Sequence, residues 1–81
     1  MNETQLNELI LKSLEQIAPD AAVDELKPAD NIREALDIDS FDHLNFLISL
    51  NTQLGVDIPE KDYGKLNTLA EIIEYVGARI A

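Results

Sequence analysis

Residues 36–50, with the sequence LDIDSFDHLNFLISL, join a polar loop to an apolar helix and predict where the central helix of the fold begins. Asp39 is a suitable N-cap, and Asp42 falls at the third helical position, where a carboxylate favours the positive end of the helix dipole. The helix is predicted to run from Ser40 to about Leu54, with Gly55 as the glycine expected directly after its end. Its wide apolar face is predicted from the spacing of the large side chains Leu44, Phe46, Leu47, Leu50 and Leu54.

Three other side chains of this helix are expected outside the apolar face. Phe41 and Ile48 lie toward its edge, and we expect them to be exposed. His43 follows Ser40 by three residues, which makes the two side chains neighbours on the helix surface. We therefore expect His43 to face solvent.

Helical periodicity is also found near both ends of the chain. Asn2 and Gln5 are spaced as a capping box for a first helix, and Thr68 and Glu71 for a last one. The predicted apolar stripes are Leu6, Leu9, Ile10, Leu14 and Ile17 in the first helix, and Leu69, Ile72, Ile73, Val76 and Ile80 in the last.

Two connections separate these helices. Residues 18–38 form a long loop, for which we expect one short helical turn near 31–36 and apolar side chains that pin the loop to the core. Pro59 can begin a short helix over about 59–64, with Gly64 as its stop. No segment alternates with period two, so the prediction is an all-α fold: a four-helix bundle of three long helices and a short third one, in a single domain over residues 1–81.

The charge balance restricts the kind of partner. Sixteen acids against six bases give a net charge of −10, which disfavours nucleic acid and favours basic protein surfaces. There are no cysteines, so thiolate metal sites and thiol chemistry of the chain's own are excluded. No apolar run is long enough for a membrane span, and the first residues lack the features of a secretory signal, so we expect a cytoplasmic protein. We also expect it to be a monomer.

The chemistry of Ser40 could be that of a nucleophile, of a ligand in a metal-binding loop or of a modified residue. A nucleophile needs a base and an orienting group, and the chain offers only His43 without further partners. A calcium loop beginning at Asp37 would need other residues where Phe41 and Asp42 stand, so no metal site is predicted. As a modified residue, Ser40 would hold a phosphodiester at a helix N-terminus, where backbone N–H groups favour it. It could also be an ordinary first-turn serine.

Two segments carry a family resemblance. LDIDSFDHL (36–44) resembles the attachment motif of acyl carrier proteins, with Asp39 and Ser40 as its Asp-Ser pair, and GVDIPEKDYGKLNTLAEIIEYV (55–76) resembles the segment that follows in that family. The resemblance implies the same four-helix bundle. It also implies that a phosphopantetheinyl transferase, using magnesium and the flanking Asp39, attaches 4′-phosphopantetheine from coenzyme A to Ser40. The chain would then be a carrier rather than an enzyme, holding acyl groups as thioesters for acyl-loading and chain-processing enzymes.

The resemblance also implies two further sets of residues. The expected partner interface on the central helix is Phe41, Asp42, Leu44, Asn45, Ile48 and Asn51. The expected lining of an acyl-chain cavity is Phe46, Leu47, Leu50, Leu54 and Ile73. The alternative is that the cavity residues are ordinary core side chains in every state.

The chain departs from the family pattern in ways that bear on its partners. Asp37 stands where a glycine is usual, and Phe41 replaces the usual leucine. The outer face of the central helix, which generally carries glutamates in carriers for fatty acid synthesis, is here uncharged: Asn45, Ser49, Asn51, Thr52 and Gln53. Our hypothesis is a carrier for a specialised pathway. The cargo stays open between fatty acyl, polyketide, aminoacyl or peptidyl, and D-alanyl groups. An unmodified acidic adaptor that binds a basic protein through Phe41 and Ile48 is the competing hypothesis.

Overall fold

Four α-helices and two short 3₁₀ helices form the fold in residues 2–80, which the computed structural model describes. In chain order they are α1 (Glu3–Ile17), η1 (Val23–Glu25), α2 (Ile32–Leu36), α3 (Ser40–Leu54), η2 (Glu60–Lys65) and α4 (Leu69–Ile80). The predicted all-α fold is confirmed, with α1, α3 and α4 as its long helices.

The capping residues begin the helices where the sequence predicts. At α1 the Gln5 N–H donates to Asn2 Oδ1 over 2.8 Å, and the Asn2 N–H donates to Gln5 Oε1 over 3.0 Å. At α4 the Glu71 N–H donates to Thr68 Oγ1 over 3.1 Å, and the Thr68 N–H donates to Glu71 Oε1 over 3.0 Å. Both capping boxes satisfy backbone donors that have no partner within a helix.

The short helix after α3 differs in its bounds and type from the prediction. Pro59 is not its first helical residue: it has extended backbone angles (φ −66°, ψ 146°) and precedes the 3₁₀ helix η2. The Asp62 N–H donates to the Pro59 carbonyl over 2.9 Å, so the proline contributes its carbonyl as the first acceptor. Gly64 lies inside η2 and does not end it. The predicted turn near 31–36 is confirmed as α2, whereas η1 lies in a stretch predicted to be irregular.

The core is built around Phe46 of α3, which is completely buried. Aliphatic side chains surround it, and they include Leu6, Ile10 and Leu14 of α1, Leu47 and Leu50 of α3, and Leu69, Ile72 and Val76 of α4. The long loop is pinned by the burial of Val23, Ile32 and Leu36, as predicted. Burying large aliphatic and aromatic side chains contributes roughly 1.5–3 kcal/mol each, so this core is the main source of stability.

Side-chain hydrogen bonds reinforce two of the interfaces between helices. Between α1 and α3, Gln53 Nε2 donates to the Oγ of the buried Ser13 over 3.0 Å. The same amide donates to Ser49 Oγ of its own helix over 2.7 Å. Between η2 and α4, the Tyr75 hydroxyl donates to Asp62 Oδ2 over 2.6 Å. That hydrogen bond is the main cause that lowers the pKa of Asp62, against the opposing effect of burial.

Backbone hydrogen bonds tie α2 and the preceding loop to the start of α4. The Ile32 N–H donates to the Asn67 carbonyl, and the Ala70 N–H donates to the Pro28 carbonyl, both over 2.9 Å. An isolated β-bridge pairs Asn31 with Thr68. These bonds fix the position of α2, and α2 in turn leads directly into α3.

The turn from α2 into α3 depends on Asp37, whose backbone is left-handed (φ 54°, ψ 47°). The N–H groups of Asp37 and Ile38 both donate to the Arg33 carbonyl, which ends α2. Only Ile38 then separates Asp37 from the cap of α3. An aspartate accepts this conformation better than most residues, and a β-branched residue accepts it least well.

We therefore expect Asp37→Val to lower the free energy of unfolding by about 1–2 kcal/mol, because the strained backbone conformation must be retained. Asp37→Gly is the matched control and should change stability by no more than about 0.5 kcal/mol, since relief of strain is offset by the greater freedom of the unfolded chain. Urea denaturation of the three proteins measures both effects. Equal stability of the valine and glycine variants would contradict this account of the turn.

Candidate functional site

Ser40 is the first residue of α3 and is exposed to solvent. The chain has two other serines: Ser13 is 2% exposed, and Ser49 is half-buried and accepts a hydrogen bond from Gln53. Ser40 is thus the serine whose hydroxyl a second protein can reach most readily. Its place directly after the three-residue turn 37–39, at the first position of a 15-residue helix, puts it at the end of α3.

Asp39 organises the backbone around Ser40. Its Oδ1 accepts the Asp42 N–H over 2.8 Å, and its carbonyl accepts the His43 N–H over 3.1 Å. These two bonds satisfy the third and fourth amides of α3. The first two amides, those of Ser40 and Phe41, remain at the positive end of the helix dipole, where a phosphate group is favoured.

The hydroxyl, the first-turn amides and the flanking carboxylate together fit a phosphodiester-linked group. An exposed serine oxygen can form the ester, and the helix end favours the negative charge of the phosphate. Because Ser40 is exposed, the arm of such a group can extend into solvent without displacing any side chain of the core. This is the geometry expected of an attachment point.

His43 is not solvent-facing, and that prediction is wrong. The side chain is buried at 7% exposure, and Nε2 lies 2.8 Å from the Leu66 carbonyl oxygen. Since a carbonyl oxygen only accepts, Nε2 carries the proton. Nδ1 is buried without a hydrogen-bond partner among the residues that the structure describes. Burial is the main cause that lowers the pKa of His43; the bond to Leu66 opposes it and the charge of Arg33 adds to it.

The buried position of His43 could have been found from spacing. It precedes Leu47, Leu50 and Leu54 by four, seven and eleven residues, which puts it on the same face of a helix. Leu44, predicted to lie on the buried face, is only half-buried. Because both nitrogens of His43 are inside the bundle, the imidazole is not available as a base for a substrate at Ser40, which argues against a hydrolase.

The predicted partner surface follows the outer side of α3. Phe41 is 68% exposed and Ile48 47% exposed, which confirms the exposure predicted for both. Asn45 is exposed as well, whereas Asp42, Leu44 and Asn51 are half-buried. Phe41, Asn45 and Ile48 follow the spacing of one helix face. Apart from Asp42 in the first turn, α3 carries no acidic or basic side chain other than the buried His43.

The predicted acyl-chain residues are divided between core and periphery. Phe46, Leu47 and Leu50 have exposures of 0–1% and form the centre of the core. Leu54 and Ile73 are partly buried and pack against it. Ile73 also lines a surface groove of about 530 Å³ with Leu6 and Ile80, between α1 and α4. A role of these five residues as a cargo shelter stays a prediction.

Similarity to known proteins agrees with this site. The family model described as the phosphopantetheine attachment site matches residues 8–76. An acyl carrier protein from Rubrobacter xylanophilus is 33% identical over 72 residues, which cover 85% of this chain and 89% of that protein. An acyl carrier protein from Thermosynechococcus vestitus is 28% identical over 83 residues, covering 100% of this chain and 99% of that protein.

The chain therefore belongs to the acyl carrier protein family. It is a carrier with a covalently attached 4′-phosphopantetheine group, and proteins of this class are not enzymes. Membership implies that it meets a phosphopantetheinyl transferase and biosynthetic enzymes, and fatty acid biosynthesis is the usual role of such carriers. Within residues 2–80, the structure contains no helix that is both long enough and apolar enough to cross a membrane.

The two functions of the Asp39 carboxylate, capping and negative charge, can be separated by substitution. Asp39→Ala removes the acceptor for the Asp42 N–H and should lower the free energy of unfolding by about 1 kcal/mol. Asp39→Asn retains a cap oxygen and should cost about 0.5 kcal/mol or less. Thermal and urea unfolding of both variants test this. If the asparagine variant is destabilised as much as the alanine variant, the charge rather than the cap holds the first turn.

Proposed function

We propose that Ser40 is the residue that carries the 4′-phosphopantetheine arm, and that the chain delivers acyl groups, held on that arm as thioesters, to the enzymes of a specialised pathway. The observation that carries this proposal is the exposed Ser40 hydroxyl at the start of α3, directly after Asp39. The matched family region contains both residues. The bound group supplies the thiol that the cysteine-free chain lacks.

Asp39 has a second task in this proposal. Its Oδ1 is engaged by the Asp42 N–H, and its side chain is exposed, so the other carboxylate oxygen is free to meet a magnesium ion or a basic residue of the transferase. One carboxylate thus fixes the orientation of Ser40 and marks it for recognition. Charge-assisted contacts of this kind are stronger than neutral ones.

A covalent arm suits a carrier that visits several enzymes. The tether keeps the intermediate close to a docked partner and raises its effective concentration there. Docking itself can then be brief and weak. The exposed position of Ser40 at the edge of the bundle favours this, since the arm leaves the protein where a partner can approach.

The outer face of α3 is the proposed docking surface, formed by Phe41, Asp42, Leu44, Asn45, Ile48 and Asn51. Phe41 and Ile48 are the large hydrophobic side chains that are exposed in the described part of the chain, and both lie near Ser40 on this helix. A partner would accept Phe41 and Ile48 in an apolar pocket. It would form hydrogen bonds with the side-chain amides of this face, those of Asn45 and Asn51, because the face offers few charges. Such a partner differs from one that reads a row of glutamates, which supports a specialised pathway.

A growing acyl chain could be sheltered by Phe46, Leu47, Leu50, Leu54 and Ile73. The first three are packed together in the core, so an inserted chain would have to separate them. Cores are close-packed and resist added volume, so shelter requires movement of helices rather than use of existing space. Permanent core roles for these residues are the alternative.

Other cargo and another class of function remain as alternatives. The same arm can carry aminoacyl, peptidyl or D-alanyl groups, and no residue of this chain selects between them. The competing hypothesis of an acidic adaptor rests on one observation, the exposure of Phe41 and Ile48 two turns apart on one face of α3. The cytoplasmic location and monomeric state expected from the sequence also stay predictions.

The attachment residue is tested by intact mass. After incubation with coenzyme A, magnesium and a broad-specificity phosphopantetheinyl transferase, the protein should gain the mass of one phosphopantetheine group. Ser40→Ala should gain none, and Ser49→Ala, a serine variant on the same helix, should gain one. Asp39→Asn should fold but react more slowly.

Each result of this experiment distinguishes between the candidate functions. Full modification of Ser40→Ala would show that another residue carries the arm. No modification of the wild-type protein would favour the adaptor, which should then bind a basic protein equally well before and after incubation.

The docking surface is tested with the same transferase as partner. Phe41→Ala and Ile48→Ala should each raise KM about three- to tenfold, corresponding to about 1 kcal/mol of lost contact, without loss of stability because both side chains are largely outside the core. Gln16→Ala, an exposed position on α1, is the control and should have no effect. KM should change only modestly with salt, because Asp39 and Asp42 are the charged side chains among the residues proposed to meet the transferase.

A strong salt dependence would instead indicate that the acids elsewhere on the chain guide docking.

The specialised pathway has its own test with the phosphopantetheinylated protein. Efficient turnover by both a general ketosynthase and a malonyl transferase of fatty acid synthesis would contradict it.

A further inference from the structure

The single histidine of the chain links the first turn of α3 to the junction between η2 and α4. His43 Nε2–H donates to the carbonyl of Leu66, 23 residues further along, over 2.8 Å. Leu66 directly follows η2, and its own N–H donates to the Tyr63 carbonyl. One side-chain hydrogen bond therefore connects the helix that presents Ser40 to the segment between η2 and α4.

Several elements meet at this junction. The backbone carbonyl of Asn67 accepts the Ile32 N–H of α2. The side-chain amide of Asn67 donates to the Gly64 carbonyl over 2.7 Å. Thr68 caps α4. The contact from His43 thus holds α3 to a segment that α2, η2 and α4 all share.

The arrangement in which His43 is hydrogen-bonded to Leu66, called the closed state below, suits only the neutral imidazole. Nε2 has its acceptor, but Nδ1 is buried and has no partner among the described residues. A second proton would place a charged N–H donor there with no acceptor, inside an apolar core beside Phe46. A buried donor without a partner, and a buried charge, are both costly.

The charged groups around the imidazole do not compensate for a positive charge. The elements that meet at this junction carry these charged side chains: Arg33 of α2, Asp39 and Asp42 of α3, Asp62 and Lys65 of η2, and Glu71 of α4. Asp62 is already engaged by Tyr75 and Lys65. Asp39 and Glu71 use carboxylate oxygens as helix caps. Arg33 is the charged group that affects the pKa of His43, and it lowers that pKa further.

We propose that His43 is a proton-sensitive latch, which in its neutral form fastens the first turn of α3 to the η2–α4 junction and on protonation releases it. The released state exposes the imidazole, so that both nitrogens can bind water, and frees the Leu66 carbonyl. Ser40 lies three residues before His43, so its position relative to the bundle becomes dependent on pH. The inference concerns the folded chain and does not require Ser40 to be modified.

The direction of the pH effect follows from linkage. The pKa of His43 is lowered from its ordinary value of 6.5 in the closed state, so the open state binds protons more readily. The latch is therefore fully fastened above about pH 6.5 and weakens as the pH falls below that value. Between the pKa values of the open and closed states, the ratio of open to closed molecules rises about tenfold per pH unit.

Nuclear magnetic resonance of the apo protein between pH 8 and 5 tests the latch. Because the chain has one histidine, its ring signals are unique. We expect a midpoint below 6.5 for the imidazole, and the same midpoint for the Leu66 carbonyl carbon and for amide protection at Asn67 and Thr68. That protection, corrected for intrinsic exchange, should fall as the pH is lowered.

His43→Gln is the matched control. Its side-chain amide can donate to the Leu66 carbonyl but does not titrate, so the Leu66 signal should stay constant over this range. An imidazole midpoint at or above 6.5, or a Leu66 carbonyl that does not follow the imidazole, would overturn the proposal. The wild-type titration decides this even if the variant fails to fold, and neither result depends on attachment of phosphopantetheine.

Discussion

The hydrogen bond between the Asp39 carboxylate and the Asp42 N–H fixes where α3 begins, and the rest of the structure depends on that start. A helix turns by about 100° per residue, so the first residue of α3 has a fixed orientation relative to the side chains that face the core. With Ser40 first, Phe46, Leu47 and Leu50 point inward and the serine itself stays outside. The same bond thus supports both the start of the central helix and the exposure of Ser40, the proposed attachment residue.

Much of the fold could be predicted because its signals are local. Capping boxes at Asn2 and Thr68 join residues three apart, and the sequence alone contains both partners. The left-handed residue at Gly55 after α3 is likewise a property of one position. The exposure of Phe41 followed from the helix period. Such features require no knowledge of what lies across the bundle.

The features that could not be predicted depend on distant contacts. The acceptor that allows His43 to be buried lies 23 residues away, and its orientation is set by η2. Whether the segment after Pro59 becomes an α-helix or a 3₁₀ helix is likewise not fixed by its own residues alone, since Asp62 is held by Tyr75 of α4. Sequence spacing could place His43 on the inner face, but only the fold shows how its polar nitrogen is satisfied there.

The hydrogen bonds from Gln53 to Ser13 and Ser49 give the two sides of α3 unequal freedom. Directional polar contacts hold α1 and α3 in one register, since sliding or separating them would leave the buried Ser13 hydroxyl without its donor, at a cost of about 1–3 kcal/mol. The other side of α3 is held to the η2–α4 junction by the His43–Leu66 hydrogen bond, so loss of that bond would let the bundle open along this edge while α1 and α3 stay in register.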